Sequence, residues 1–210
     1  CYGNRSQPTQ STVSVVKRHE KEVFTYTDMT EHPAHYAALQ LRQAGVFSGE
    51  SFGTEAFFCP EATVSRAEFL TMAAAVADLA MPTAAVSTGL SDNDATPVWA
   101  QSYVAAGLVA GVVQGSDDGQ GNRAFLAENS ITRAEAAAIA DRSLALTDDG
   151  RGLTFADSDT VPVWAAQSVV NCSALGMLPV REDNTICADE MLTRADAAVM
   201  LYEMLKFRAE

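Results

Sequence analysis

The sequence predicts a mainly helical, all-α fold built from three copies of a helix pair. A four-residue phrase recurs as Ser65-Arg66-Ala67-Glu68, Thr132-Arg133-Ala134-Glu135 and Thr193-Arg194-Ala195-Asp196, so its arginines are 67 and 61 residues apart. Each phrase opens a stretch in which apolar residues recur at helical spacing. A second helical stretch precedes each phrase. A period of this length indicates copies of one unit that pack together to bury a shared core.

The first helix of each copy starts after a proline and ends near a glycine, which is the usual punctuation of helices. This pattern predicts first helices over 34–44, 98–110 and 163–175. The second helix of each copy begins at the repeated arginine, which predicts helices over 66–79, 133–144 and 194–205. Alanine is abundant in the second helices, and small side chains allow close approach. We therefore expect these three helices to lie together at the centre.

The predicted copies occupy residues 25–86, 87–151 and 152–210, and residues 1–24 are interpreted as a linker or N-terminal tail. Upstream of each phrase, an apolar residue is followed two places later by an aspartate: Asp28, Asp92 and Asp157. Trp99 and Trp164 stand at the entry to the first helix in copies two and three, where copy one has Pro33. The stretch 116–125 predicts an enlarged loop in copy two.

The charge of the chain excludes some partners. Its net charge is −13 and its pI is about 4.5, so we expect neither nucleic acid nor direct membrane binding. No stretch approaches the roughly 18 apolar residues of a membrane span. No secretion signal is visible, although a processed segment would lack one.

The four cysteines do not have the spacing of a zinc site. Cys59 and Cys187 occupy equivalent places on a pseudo-symmetric ring, so we expect them to lie apart, and Cys172 is predicted to be a small buried residue. Cys1 is either a lipid-modified mature N-terminus or a cut point in a longer chain. The acidic loop 117–122 departs from the EF-hand pattern, and we predict no metal and no cofactor.

The repeated phrase has the pattern of a capping box, in which a hydroxyl and an acid three residues apart satisfy the first backbone N–H groups of a helix. The arginine is not required for capping, and a cation is mildly unfavourable at a helix start. It therefore needs a partner. Asp28, Asp92 or Asp157 could supply one internally, and a ligand carboxylate could supply one at an anion pocket beside the helix N-terminus.

The tryptophans and turn glycines also allow two interpretations. Trp99 and Trp164 close the edge of a core, or present an indole face on which a sugar ring stacks. Gly45, Gly111 and Gly115 end helices and form turns, or let a ligand approach the backbone.

Together these elements resemble the S-layer homology (SLH) domain. Each copy carries most of its pattern: an aromatic-x-Asp, a Trp-Ala helix, a Gly-apolar-x-x-Gly turn, a Phe-x-Pro element and Thr-Arg-Ala-Glu. The resemblance extends from Tyr26 to Phe207. It implies a pseudo-threefold prism with a central three-helix bundle and grooves between adjacent copies.

The resemblance also implies a function outside the cell, at the bacterial cell wall. Such domains anchor surface proteins non-covalently by binding a secondary wall polysaccharide, often through a pyruvylated terminal sugar. The residues that match the family's groove chemistry are Arg66, Arg133, Arg194, Asp28, Asp92, Asp157, Trp99, Trp164, Gly45, Gly111 and Gly115. Copy two is the most complete, which favours a groove that uses Arg133 and Trp99.

Two other functions compete with anchoring. The grooves could hold a neighbouring surface-layer subunit, which makes the chain a protein-assembly module. An enzyme is disfavoured because the three histidines lie within the first 35 residues with no nucleophile motif beside them.

Overall fold

The computed structural model of the protein describes residues 24–83, 87–148 and 150–209. The predicted tail lies outside them except for Phe24, as does Cys1. The described chain is mainly helical, which confirms the predicted class. Its elements, in chain order, are α1 (His35–Gln43), β1 (Glu50–Phe52), β2 (Glu55–Phe57), α2 (Arg66–Ala77), α3 (Val98–Val109), β3 (Ser116–Asp117), β4 (Arg123–Ala124), α4 (Arg133–Leu144), α5 (Ala166–Ala174) and α6 (Arg194–Ala209).

Two helix boundaries differ from the prediction by more than two residues. Residues Val163–Ala165 form a separate 3₁₀ turn before α5, so the third first helix starts later than position 163. At the other end of the chain, α6 continues past position 205 to Ala209. Its extra turn is used, since Arg208 Nη1 donates a 2.6 Å hydrogen bond to the Val76 carbonyl near the end of α2. That carbonyl belongs to the last turn of a helix, where partners inside the helix run out.

Two short antiparallel hairpins, β1–β2 and β3–β4, were not predicted from the sequence. The second of them lies within the stretch predicted as an enlarged loop. Its turn is organised by Asp118, whose carboxylate accepts hydrogen bonds from the Gln120 backbone N–H at 2.8 Å and from the Asn122 side chain at 3.1 Å. These bonds, led by the one from Gln120, stabilise the anion and lower the pKa of Asp118 to about 2.

The second helices of the three copies, α2, α4 and α6, contact one another. Each first helix packs on the second helix of the preceding copy: α3 lies on α2, α5 on α4, and α1 on α6. The last contact joins the first copy to the third, so the copies close on themselves. Small and large apolar side chains from all three copies share one core, including Leu70, Ala137 and Leu201.

A closed cycle of backbone hydrogen bonds links the segments that lead into the three second helices. Val64 N–H donates to the Leu192 carbonyl at 3.1 Å, Leu192 N–H donates to the Ile131 carbonyl at 2.8 Å, and Ile131 N–H donates to the Val64 carbonyl at 2.9 Å. All three residues are buried. Because every member donates to one copy and accepts from the other, no copy completes this arrangement alone.

The start of each second helix is also completed by another copy. In α2, the N–H groups of Arg66 and Ala67 donate to the carbonyls of Asn129 and Ala127, both at 2.9 Å. The next N–H, that of Glu68, donates to the Ser65 hydroxyl, and Ser65 N–H donates to the Glu68 carboxylate. The predicted capping box is therefore present. The predicted anion pocket on these backbone groups is not, because all of them already have acceptors.

The α4 start repeats the arrangement of α2, and the α6 start repeats most of it. Arg133 and Ala134 donate to the carbonyls of Glu190 and Ala188, and Thr132 forms a complete capping box with Glu135. At α6, Arg194 and Ala195 donate to the carbonyls of Ala62 and Pro60, and the Asp196 N–H donates to the Thr193 hydroxyl.

The cysteines occupy different environments. Cys59 is exposed, Cys187 is partly exposed, and Cys172 is buried between α5 and α4, where its thiol lies 3.4 Å from the Ala137 carbonyl. All three are free thiols. Burial, followed by the negative charge of Asp141, raises the pKa of Cys172 well above its usual range.

We expect Cys59 to react with iodoacetamide at neutral pH in the folded protein and Cys172 to remain unmodified. A raised pKa lowers the thiolate fraction, and the thiolate is the reactive form. Peptide mapping by mass spectrometry checks this site by site, with the unfolded chain as the control in which both residues react. Alkylation of Cys172 in the folded chain at a rate similar to that of Cys59 would contradict its placement.

Gly49→Ala is expected to destabilise the fold by about 1–3 kcal/mol, the usual cost of overpacking. A Cβ at position 49 would lie 2.0 Å from the Phe57 carbonyl oxygen and 2.7 Å from the Tyr26 ring, so the hairpin would have to shift. Gly152→Ala is the matched control, because a Cβ there meets nothing within 4 Å and the backbone is not left-handed. Urea unfolding of the two variants measures the difference, and equal midpoints would disprove the close approach.

Candidate functional site

Three surface grooves surround the second helices, and each is numbered here by the copy that supplies its loop. Groove 1 has a volume of about 260 Å³ and is lined by residues that include Ser48, Glu68, Thr71, Trp99 and Arg194. Groove 2 has a volume of about 450 Å³ and is lined by residues that include Arg66, Gly115, Glu135, Arg142 and Trp164. Groove 3 has a volume of about 570 Å³ and is lined by Arg133, Pro179, Val180, Arg181, Glu182, Asp183 and Asp196.

Grooves 1 and 2 combine residues from all three copies. In groove 1 the loop and the acid come from copy one, Trp99 comes from copy two, and Arg194 comes from copy three. Groove 2 is shifted by one copy, since Trp164 comes from copy three and Arg66 from copy one. The arginine therefore arrives from the copy before the groove and the tryptophan from the copy after it.

This rule corrects the predicted pairing of Arg133 with Trp99. The two residues line different grooves, 3 and 1, because a tryptophan and an arginine of the same copy point to different neighbours. Groove 3 would need a tryptophan from copy one, where the sequence has Pro33. The residues that line it include no aromatic side chain.

The Nε groups of the three repeated arginines all donate to a backbone carbonyl of another copy. Arg66 donates to Phe125 at 2.8 Å, Arg133 to Ile186 at 2.9 Å and Arg194 to Phe58 at 2.7 Å. The three arginines differ in how far they are buried. Arg133 is only 1% exposed and Arg66 8%, whereas Arg194 is partly exposed.

The aspartates Asp28, Asp92 and Asp157 are not the partners of these arginines. Asp92 accepts hydrogen bonds from the N–H groups of Phe125 at 2.9 Å and Leu126 at 2.7 Å. The other two do the same for the equivalent residues of their own copies, Phe58 and Cys59 for Asp28, and Ile186 and Cys187 for Asp157.

The aspartates hold a strained bend in place. The second donor of each pair, Cys59, Leu126 or Cys187, has a left-handed backbone with φ of 55°, 59° and 50°. Such a conformation is costly for residues other than glycine and needs support from its surroundings. The aspartate supplies this support, and the bend then presents the carbonyl that receives the arginine.

The internal partner of Arg66 and Arg133 is instead the capping acid of the next copy. Glu135 accepts the Thr132 N–H through Oε2 at 3.0 Å and pairs with Arg66 Nη1 through Oε1 at 2.5 Å. Asp196 pairs in the same way with Arg133 Nη1, and Arg133 Nη2 donates to the Pro179 carbonyl. The Glu135 carboxylate thus both caps a helix and neutralises the arginine of the preceding copy, whereas the Asp196 carboxylate pairs with the arginine.

Arg194 breaks this pattern. Among the described residues, no carboxylate lies within 4 Å of its guanidinium, and Nη1 has no acceptor. Nη2 donates to the Ser48 carbonyl at 3.3 Å, and the guanidinium stacks 4.6 Å from the centre of the Phe47 ring. The equivalent acid, Glu68, accepts the Ser65 N–H and is exposed. Of the three repeated arginines, Arg194 therefore has the guanidinium edge that is open to a ligand.

Both tryptophans have exposed indole faces. Trp99 is 53% exposed and Trp164 is 56% exposed, so neither mainly closes a core. Each lines one groove beside an arginine. An exposed aromatic face next to a guanidinium is an arrangement that can hold the apolar face of a sugar and an acidic substituent together.

The predicted glycines divide into two groups. Gly115 lines groove 2 with φ of 74°, and a Cβ there would lie 3.2 Å from the Ala124 carbonyl oxygen. Gly45 and Gly111 follow α1 and α3 with φ of 71° and 73°, and neither is among the residues that line the three grooves. Their role is to end helices.

The sequence did not predict two of the groove residues, Thr71 and Arg142, because they lie outside the repeated phrase. Thr71 lines groove 1, and its buried hydroxyl oxygen has no hydrogen-bond partner in the described part of the chain. Arg142 lines groove 2. The signal was a difference between the copies: the positions equivalent to Thr71 are Ala138 and Val199, and those equivalent to Arg142 are Ala75 and Glu203.

The described residues hold neither a cluster of metal-ligating side chains nor a membrane-spanning helix. Over 24–83, 87–148 and 150–209, no three His, Cys, Asp or Glu side chains gather as potential metal ligands. Within the same ranges, no helix has both the length and the hydropathy needed to cross a bilayer.

The comparison with protein families matches two segments of the chain. The model of the S-layer homology domain matches residues 25–70 and 91–137, which fall in the first and second copies. The third copy lies outside both matches. It nevertheless repeats the geometry of the others, since the Asp157 carboxylate accepts the Ile186 N–H and Arg194 Nε donates to the Phe58 carbonyl.

Three curated proteins are similar to most of the chain. An amylopullulanase of Thermoanaerobacterium thermosulfurigenes is 28% identical over 87% of the chain and 10% of its own length. Exoglucanase XynX of Acetivibrio thermocellus is 28% identical over 89% of the chain and 17% of its own length. A surface-layer 125 kDa protein of Lysinibacillus sphaericus is 29% identical over 80% of the chain and 14% of its own length. The chain spans less than a fifth of each relative.

A double-mutant cycle on Arg66 and Glu135 should give a coupling free energy of about 1–2 kcal/mol, because the two side chains form a partly buried pair. The cycle cancels the separate losses of the Phe125 bond and of the helix cap. Arg194 and Glu68 are the matched control at the equivalent place, where the coupling should stay below about 0.5 kcal/mol. Denaturant unfolding of the alanine variants measures both values, and equal coupling would contradict the open state of Arg194.

Proposed function

We propose that this chain, a member of the S-layer homology domain family, anchors a bacterial surface protein non-covalently to the cell wall by binding a secondary wall polysaccharide. The ligand group is a terminal sugar that carries a carboxylate, such as a pyruvate ketal. Binding takes place in the grooves between copies. The location of the protein is then outside the cell, at the wall.

The observation that carries this proposal is the pairing of Arg194 with Trp99 in groove 1. Within the described ranges, Nη1 of Arg194 has no hydrogen-bond acceptor, and charge-assisted hydrogen bonds from a guanidinium to a carboxylate are among the stronger polar interactions. Trp99 offers an exposed face for the sugar ring. The groove thus places a cation for the carboxylate beside an aromatic surface for the ring.

The architecture that goes with this function is a pseudo-threefold prism around α2, α4 and α6. It is supported by the hydrogen-bond cycle of Val64, Ile131 and Leu192 and by the equivalent contacts at the three helix starts. Three copies are proposed as the functional unit, since grooves 1 and 2 draw on all of them.

The names of the relatives bear on the cargo and not on this segment. Two are named as enzymes, but the matched part is a small fraction of each. The third is named as a surface-layer protein. We therefore propose that the segment itself is not catalytic and that it holds a partner protein or enzyme domain at the cell surface.

Titration calorimetry with two synthetic glycans tests the proposal. They share one terminal sugar, and only one of them carries the pyruvate ketal. We expect heat of binding with the ketal form alone, and a reduced heat with Arg194→Gln because the open guanidinium is lost. Arg181→Gln in groove 3 is the matched control, since Arg181 is an exposed residue already paired with Glu190, and it should bind like the unaltered chain.

Two outcomes would overturn this proposal. Equal binding of both glycans would show that the carboxylate is not read. Binding of neither glycan, together with failure of purified wall polysaccharide to compete for attachment to cell walls, would favour a protein-assembly module whose grooves hold a neighbouring subunit.

A further inference from the structure

We propose that Arg142, a residue outside the repeated phrase, makes groove 2 a second binding site for the same carboxylate-bearing sugar. This inference rests on the proposed function. It assigns the binding of the ligand's carboxylate in groove 2 to Arg142 and not to Arg66, which is the arginine that the repeat places there.

Arg66 is unsuited to this task because its charge is already used. Its Nη1 pairs with Glu135 at 2.5 Å, its Nε donates to Phe125, and the residue is 8% exposed. A ligand carboxylate would have to displace Glu135, which also caps α4 through Thr132. Breaking a partly buried pair leaves one charge without compensation, so the exchange is unfavourable.

Arg142, unlike Arg66, is not paired with a described carboxylate. In the described part of the chain no carboxylate lies within 4 Å of it, and its assigned hydrogen bond is a long one, 3.4 Å from Nη1 to the Val112 carbonyl. Its neighbour Asp141 is turned away and engaged, with the Ser168 hydroxyl and the Asn171 amide each 2.8 Å from its carboxylate. Arg142 therefore lines groove 2 as a partly buried cation that no described side chain neutralises.

The three grooves differ in the net charge of the side chains that line them. Groove 2 has two arginines and one carboxylate, Glu135. Groove 1 has one arginine and one carboxylate, whereas groove 3 has two arginines against three carboxylates. On a chain of net charge −13, groove 2 is the one of the three whose lining is net positive. An anionic ligand is favoured where local cations override the field of the whole molecule.

The other walls of groove 2 suit a sugar. Its volume of about 450 Å³ lies in the usual range of small-ligand sites. Trp164 lines it with an indole that is 56% exposed, and Gln114 adds an amide. Groove 3 has neither a tryptophan nor an excess of positive charge, so it is excluded as a third site for this ligand.

The two tryptophans of the chain provide a separate signal for each groove, because Trp99 lines groove 1 and Trp164 lines groove 2. In a Trp99→Phe background, the fluorescence of Trp164 reports groove 2. In a Trp164→Phe background, the fluorescence of Trp99 reports groove 1. The probe is the glycan with the pyruvate ketal, and the same glycan without the ketal serves as the blank.

We expect saturable quenching or a shift of emission in both backgrounds. Arg142→Gln should weaken binding at Trp164 by at least about tenfold, the typical effect of one lost charge-assisted hydrogen bond, and leave binding at Trp99 unchanged. Arg194→Gln should do the reverse. Arg142→Lys should restore part of the Trp164 affinity, because it returns the charge without the planar fork. Since the Arg142 side chain makes a single, long hydrogen bond within the described residues, Arg142→Gln should unfold at nearly the same urea concentration as the unaltered chain.

The failures are distinguishable. Binding that is detected by Trp99 but not by Trp164 would refute a second site and leave the proposed function standing. Binding at Trp164 that survives Arg142→Gln would refute the role of this arginine. A lack of response from both tryptophans, with no heat in calorimetry, would overturn the proposed function together with this inference.

Discussion

The closed cycle of hydrogen bonds among Val64, Ile131 and Leu192 is the constraint on which the other features of the structure depend. It places the three helix starts side by side in a buried environment, where a missing partner would leave a backbone N–H unsatisfied at a cost of about 1–3 kcal/mol. Each helix start then takes two more acceptors from another copy. The copies are consequently not independent folding units, because a single copy would leave these backbone groups without their acceptors.

The repeated arginine and the capping acid extend this mutual completion to the side chains. A capping box alone would stabilise one helix. By accepting an arginine from the preceding copy as well, Glu135 links capping to the contact between copies, and Asp196 makes the same inter-copy pair with Arg133. The Asp28, Asp92 and Asp157 clamps act one step earlier, because they hold the left-handed bends that present carbonyls to the arginines. A guanidinium that pairs with an internal carboxylate is not free to bind a ligand carboxylate. Arg66 and Arg133 are paired in this way, with Glu135 and Asp196.

The three grooves are not equivalent, because their arginines differ in whether an internal carboxylate neutralises them. A repeat whose parts were identical would offer three equal sites, but small differences at equivalent positions change the outcome. Thr71 against Ala138, Arg142 against Ala75, and Trp164 against Pro33 each alter one wall of one groove. Under the proposed function, two sites on one domain would gain from a polymeric ligand, since binding at the first would raise the effective concentration at the second.

By itself, the sequence determined the copies, the helix pairs and the capping boxes of α2 and α4, whereas at α6 half of the predicted box is present. These are local properties: apolar spacing, proline and glycine at helix ends, and a hydroxyl three residues before an acid all act within a few residues. It also named some of the groove residues, namely Arg66, Arg133, Arg194, Trp99, Trp164 and Gly115, but it missed Thr71 and Arg142. The partners were decided only by the tertiary structure, because Arg66 meets Glu135 across 69 residues and Arg194 meets Phe58 across 136. No local pattern indicates which copy a side chain points toward, so the Asp partners and the Arg133–Trp99 groove were predicted wrongly. Whether an arginine is neutralised or open depends on the packing of all three copies.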